Sequence, residues 1–250
     1  MSVSPGRRFA HGATDSTNER ALVALAEGTA CDGDWHVADE QSAGRGRLGR
    51  KWHSPAGQGL YLSLIHCPSN PLPAAAASMA AGLALFDTIS QLGVSESMLR
   101  WPNDLMVHGA KLAGILVETR GWDPKAPAYV VGMGINVTGS ELPQALHDER
   151  EVVSLAQLGL ETTAEKLEDP LLGHLHSRLA QAAGPHRGDI CADYLASLDL
   201  RSAHVLAQAG STQAQGPIGG LDFDRGIGIE TDRGMAWLPL EFLVKLDRVQ

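Results

Sequence analysis

Apolar positions recur along this chain with two periods, one helical and one strand-like. Leu22 and Leu25 follow Ser16-Thr17-Asn18-Glu19, which has the form of a capping box, and Gly28 is a stop signal. That pattern predicts a helix between them. Residues 36–38 read as a short strand leading into a glycine- and arginine-rich stretch at 44–49. Residues 59–66 alternate, with Leu60, Leu62 and Leu64 on one side and Tyr61, Ser63 and Ile65 on the other, and predict a strand. Pro73 opens a helix to about Leu92, with Met79, Leu83 and Phe86 on one stripe. Residues 105–107 and 112–118 flank His108-Gly109-Ala110, which reads as a hairpin turn. Residues 129–137 form a glycine-interrupted strand, and 154–158 a short helix. One or two helices fill 163–183, with Pro170 in a first turn or at a break, and another helix covers 190–197.

The texture changes after Leu200. Short β-type runs at 204–207, 226–230, 235–238 and 242–246 are separated by Gly, Asp and Pro, as in a small barrel or sandwich of about 50 residues. The order elsewhere (strands, a helix, a hairpin) predicts an α+β fold rather than a doubly wound parallel sheet. Residues 1–199 are expected to form one domain and 200–250 an appendage.

The formal net charge of −9 argues against a general nucleic-acid binder, so any anion site must be a local concentration of cations on an acidic body. Cys31, Cys67 and Cys191 are far apart and odd in number, which fits neither a disulfide framework nor a metal knuckle. A cytoplasmic location is expected. The N-terminus has no signal-peptide core, and the most apolar stretch, 72–86, falls short of the roughly 20 residues of a membrane span. Neither a membrane nor a nucleic acid is expected as a partner. The ten histidines, His174 and His176 included, show no metal-ligand spacing, and no metal-binding residue is assigned.

Chemistry concentrates in four segments. Gln41-Ser42-Ala43-Gly44-Arg45-Gly46-Arg47-Leu48-Gly49-Arg50-Lys51-Trp52 places four cations within eight residues among three glycines. Glycine lets backbone N–H groups approach a ligand, arginine offers a planar fork to carboxylate or phosphate, and Trp52 suits a flat ring. A solvated basic turn or an RNA-type segment has the same composition. Arg100-Trp101-Pro102-Asn103-Asp104 is a turn whose proline and Asx residues are a structural device by themselves. Lys111 opens a strand, where an inward lysine neutralises a phosphate, although most lysines are exposed. Gly132-Met133-Gly134-Ile135-Asn136 lacks the third glycine and the helix of a dinucleotide fingerprint; its glycines clear room for a ligand or a close backbone.

In this order and at these spacings, the four segments, preceded by Ser16-Thr17-Asn18, resemble those of the biotin protein ligases. The resemblance covers about 15–136 well and continues weakly beyond. It implies a mixed-sheet catalytic domain of the class II synthetase-like, biotin–lipoyl ligase type and a small C-terminal SH3-like β-barrel. Arg100 departs from the pattern, since the family usually has lysine there. Ser16 lies close to the first residue, so the chain resembles the ligase-only form, and operator binding is not expected.

The resemblance assigns Ser16, Thr17, Asn18, Gln41, Gly44, Arg45, Gly46, Arg47 and Lys111 to biotin. It assigns Trp52, Arg47, Asn103, Lys111 and Asn136 to the nucleotide. Arg45, Arg47, Lys111 and Asp104 stand at the reacting centre, with Asp104 either a base or orienter for the incoming amine or a turn cap. Biotin, ATP and Mg²⁺ are the implied small molecules. The implied partner is a biotin carboxyl carrier protein domain of acetyl-CoA carboxylase or another biotin-dependent carboxylase; homodimerisation stays open. The loop at 41–52 is expected to order when ligands bind. Lipoate attachment, a non-enzymatic biotin or nucleotide sensor and a small RNA-binding module are the competing classes.

Overall fold

The computed structural model describes residues 6–73, 75–120, 123–139, 151–200 and 203–249. Two sheets organise it. The larger has seven strands: β1 (Arg8–Thr14), β2 (Trp35–Gln41), β3 (Gly59–His66), β4 (Ser97–Arg100), β5 (Asp104–Val107), β6 (Ala110–Glu118) and β7 (Tyr129–Asn136). Their spatial order is β1-β2-β3-β7-β6-β5-β4. Only β1 and β2 run parallel; every other neighbouring pair is antiparallel. The expected α+β class therefore holds at the level of a mixed sheet with helices.

The two faces of this sheet bury different things. Leu60, Leu62 and Leu64 of β3 and Val131, Met133 and Ile135 of β7 point into the main core. There they meet α2 (Ala76–Gln91), α3 (Ala164–Ala183) and α4 (Arg187–Ser197). On the opposite face α1 (Thr17–Ala26) covers one end, packing Ala21 and Leu22 on Ile65 and Val130. The cavity described below lies farther along that same face.

Several expected boundaries shift. β1 and β4 had no alternating apolar pattern; β1 is a mostly exposed edge strand. Ser16 is the N-cap residue of α1, but its side chain makes no capping bond. The capping box is thus replaced: Asp15 accepts from the Ser16 N–H at 2.7 Å, and the Glu19 carboxylate turns to arginines. α2 begins at Ala76, after Ala75 at φ +63°, rather than at Pro73. α3 runs unbroken with Pro170 inside it, because buried Leu167, Leu171, Leu175 and Leu179 hold its face to the core. The hairpin turn at His108-Gly109 is as expected, with both residues at positive φ.

The C-terminal part is a five-stranded antiparallel sheet of β8 (His204–Ala209), β9 (Thr212–Asp222), β10 (Gly226–Thr231), β11 (Gly234–Leu238) and β12 (Leu243–Arg248), in the order β11-β10-β9-β8-β12. β9 was not expected; its Gln-, Gly- and Pro-rich sequence hides the strand. β11 and β12 form the two edges of this sheet. Its Ile227, Ile229, Leu238 and Leu246 belong to the same core cluster as the large sheet. No described helix is long and apolar enough to cross a membrane.

Candidate active site

Strand parity builds the floor of the site. On that face of the large sheet, the one α1 covers at one end, Gly114 of β6 pairs with Gly134 of β7, and Gly132 lies between Ser63 and Leu116. Glycine at alternate positions leaves a shelf with no side chains. Two groups rest on it. The Trp52 indole lies over Gly114 and Gly134, where a Cβ at Gly134 would stand 2.4 Å from the ring. The Asn18 amide lies over Gly132, where a Cβ would stand 2.1 Å from Oδ1.

Above the shelf is a cavity of about 680 Å³. It is walled by the start of α1, the loop from Arg45 to His53, the turn at 101–104, and Val244, Lys245, Leu246 and Asp247 of β12. Ser16, Thr17, Asn18, Gln41, Arg45, Gly46, Arg47, Trp52, Asn103, Asp104, Lys111 and Asn136 all line it. Gly44 is the expected site residue that does not; it is buried behind the loop, its Cα side pressed on the Trp52 carbonyl. The three cations Arg45, Arg47 and Lys111, from two distant stretches of chain, therefore border one space.

The loop holds a defined shape. Arg45 and Lys51 bridge across it, Gly46 N–H donates to Arg50 O at 2.7 Å, and Trp52 N–H donates to Gly44 O at 2.9 Å. Leu48 at its tip is 90% exposed, and Val244 opposite on β12 is 73% exposed. Two apolar side chains thus rim the mouth. Leu48 and the β12 residues were not foreseen, since no local pattern marks them.

Several of the lining side chains are engaged by protein partners. Lys111 Nζ lies 2.6 Å from Asp104 Oδ1, and the Asp104 side chain is only 5% exposed. Lys111 Nζ is also 5.1 Å from the Trp52 ring centroid, a cation–π distance. Gln41 accepts from the Thr17 N–H at 2.8 Å and donates to Ser54 Oγ at 2.8 Å. Asn103 donates to Ile115 O at 2.8 Å, tying the 101–104 turn to β6. Asn136 donates to Val153 O at 3.1 Å. The Trp101–Pro102 peptide bond is cis.

Arg45 donates to Glu19 and Glu118 at 3.0 Å each. Burial opposes its charge, but the two carboxylates more than offset that and hold its pKa above the ordinary arginine value. Glu118 also accepts from the buried Asn18 amide at 2.8 Å, and Ser63 Oγ donates to Asn18 Oδ1. Ser63, Glu19 and Glu118 do not line the cavity but hold Asn18 and Arg45, which do, and their residue types gave no signal of that part. Arg100, the departure noted above, faces elsewhere. It donates to Asp199 at 2.7 Å and lines a separate cavity between β4, β5 and β12.

This arrangement can hold two anions side by side. It offers cations on one rim, an aromatic face on a side-chain-free shelf, and a buried carboxylate beside the lysine. Comparison with known proteins agrees with the geometry. Residues 12–136 match the model of the biotin/lipoate A/B protein ligase family. The chain is 36% identical over 191 residues to the biotin–[acetyl-CoA-carboxylase] ligase of Mycobacterium tuberculosis, covering 73% of this chain and 67% of that protein. It is 35% identical over 166 residues to the bifunctional ligase/repressor BirA of Escherichia coli, covering 66% of this chain but about half, 51%, of that longer protein. Among solved structures, the biotin protein ligase of Aquifex aeolicus in complex with biotin and ATP superposes with a TM-score of 0.82 at 25% identity, over 97% of this chain and 99% of that one.

Proposed function

The chain belongs to the biotin/lipoate A/B protein ligase family, and on that premise we propose that it activates biotin with ATP and transfers it to a lysine of a biotin carboxyl carrier domain. The observation that carries this reading is the convergence of Arg45, Arg47 and Lys111 on one cavity over a glycine shelf. In the first step a biotin carboxylate oxygen attacks the α-phosphorus of ATP, giving biotinyl-5′-AMP and pyrophosphate. Both reactants are anions and repel each other, so the protein must hold them in line and neutralise their charge. Arg45, Arg47 and Lys111 are assigned that task. In the second step the carrier lysine amine attacks the acyl carbon of the mixed anhydride, forming the amide and releasing AMP. The amine loses a proton, and Asp104, which lies beside Lys111, is assigned to orient it.

Ser16, Thr17, Asn18, Gln41 and the loop from Gly44 to Arg47 are assigned to biotin; Trp52, Asn103 and Asn136 to the nucleotide. The buried Trp52 indole N–H has no acceptor among the described residues, which fits a donor reserved for a polar ligand edge. Magnesium belongs to this chemistry as a phosphate counterion. The described residues offer no group of three or more His, Cys, Asp or Glu side chains arranged to hold a metal ion, and Asp104 is engaged by Lys111. No residue of this chain is therefore assigned to hold the metal, and no step runs through it. We read the five-stranded sheet as the family's SH3-like barrel, 200–250, and residues 1–199 as the catalytic domain. Exchange of labelled pyrophosphate into ATP tests the first step. Exchange that depends on biotin supports the reading; exchange with lipoate instead, or none with either acid, refutes it.

A further inference from the structure

Four cations crowd residues 45–51, yet they are not equally placed. Among the described residues Arg47, Arg50 and Lys51 have no carboxylate at salt-bridge distance, whereas both terminal nitrogens of Arg45 are occupied. Arg45 Nη1 donates to Glu19 Oε2, and Nη2 donates to Glu118 Oε2 and, at 3.3 Å, to Oε1. Glu19 belongs to α1 and also holds Arg120, at 3.0 Å on each oxygen. Glu118 ends β6 and is fixed from beneath, because Asn18, itself 4% exposed, donates to it. Asn18 is in turn held by fully buried Ser63 of β3 and by the space over Gly132. An unbroken polar chain thus runs from the sheet interior through Ser63, Asn18 and Glu118 to Arg45 in the loop.

We infer that Glu118, assisted by Glu19, is a positioning residue that holds the arginine-glycine loop over the cavity through Arg45, leaving Arg47 as the loop's ligand-facing cation. The inference rests on the ligase reading and refines the part Arg45 plays in it. The logic is electrostatic. A loop made of unpaired cations repels itself and swings out into water, and a bound anion alone would have to order it. Two carboxylates on rigid elements supply part of that order beforehand, which lowers the ordering cost at binding. They neutralise one arginine and spare the others. Glutamate is needed at 118 because one carboxylate oxygen, Oε2, serves both Asn18 and Arg45; glutamine retains the first bond and loses the charge attraction of the second.

The test uses the full chain. Glu118→Gln is compared with Glu118→Asp, which keeps the charge, by tryptic cleavage at Arg47, Arg50 and Lys51 without ligands and by steady-state kinetics with biotin. Both partners are partly exposed, so the expected effect is modest. Loop cleavage in Glu118→Gln should quicken about three- to fivefold, the KM for biotin should rise by a similar factor, and kcat at saturating biotin should hold. Glu118→Asp should recover part of each change, and Glu19→Gln with Glu118→Gln should exceed either single change. Unchanged loop cleavage with an unchanged KM in Glu118→Gln overturns the inference. So does a lowered melting temperature with no effect specific to the loop or to KM. The cleavage arm requires no turnover, so it judges the loop contact even if the wild-type chain fails to activate biotin.

Discussion

Lys111 and Asp104 carry much of the site's logic in one contact. A lysine ammonium 2.6 Å from a nearly buried carboxylate keeps a positive group at the cavity wall without leaving it uncompensated. Replacing Lys111 by Met removes the cation that compensates the nearly buried Asp104 carboxylate, which should cost about 3–5 kcal/mol of stability. It should also slow pyrophosphate release about 10²–10³-fold. Adding Asp104→Asn should restore most of the stability, read by urea unfolding, but not the rate. A double variant that regained the rate would show that Lys111 serves only its neighbour. A second residue sets a pH limit. His36 is buried, and burial first, then His11 and Arg20, push its pKa down to about 4 against the pull of Asp34. The folded chain therefore resists a proton that the unfolded chain accepts below about 6.5. Stability is full above that pH and falls as pH drops towards 4, by up to about 3 kcal/mol. His36→Asn should flatten this slope in urea titrations at pH 7 and 4.5. At this scale the sequence revealed cations and aromatics but not their partners. Asn18 meets Glu118 across 100 positions, and Ser63 meets Asn18 across 45, separations that no local motif encodes.

Among the elements, the glycine shelf has the most direct consequences. Its strands were legible because β3, β6 and β7 alternate or run apolar, and the glycines of β7 interrupt a strand rather than start a helix. What they make room for was not legible, since the occupants Trp52 and Asn18 arrive from a loop and from α1. Gly132→Ala drives a methyl into the Asn18 amide, which is backed by Ser63 and cannot retreat freely. Overpacking of this kind should cost about 1–3 kcal/mol. It should also weaken biotin binding by calorimetry, while Gly173→Ala on α3, where a Cβ meets nothing, should leave binding unchanged. Equal binding in the two variants would remove the shelf from the account. The elements missed, β1, β4 and β9, are edge, short or glycine-rich strands whose existence depends on a neighbour supplying hydrogen bonds.

Over the whole molecule, the α+β class followed from the order of elements, but the strand order did not, because it is set by long-range pairing such as β3 with β7. The change in texture near Leu200 coincides with the start of the smaller sheet at β8, and that sheet packs against the rest of the molecule. It shares the main core, Arg187 bridges to Asp224 at 2.7 Å, and β12 walls the cavity. A fragment ending at residue 199 should therefore lose both a cooperative melt and biotin binding; a fragment that melts cooperatively would show two independent domains. The acidic body, with a net charge of −9, makes the cation-lined cavity the place where an anionic substrate gains most. The most direct check on joining two anions there is the intact mass of an apo carrier domain after incubation with the full chain, biotin, ATP and Mg²⁺. The account predicts a single added biotinyl group on one carrier lysine, abolished when Lys111 and Arg47 are both neutralised. An unmodified carrier, or modification that persists after both charges are removed, would contradict it.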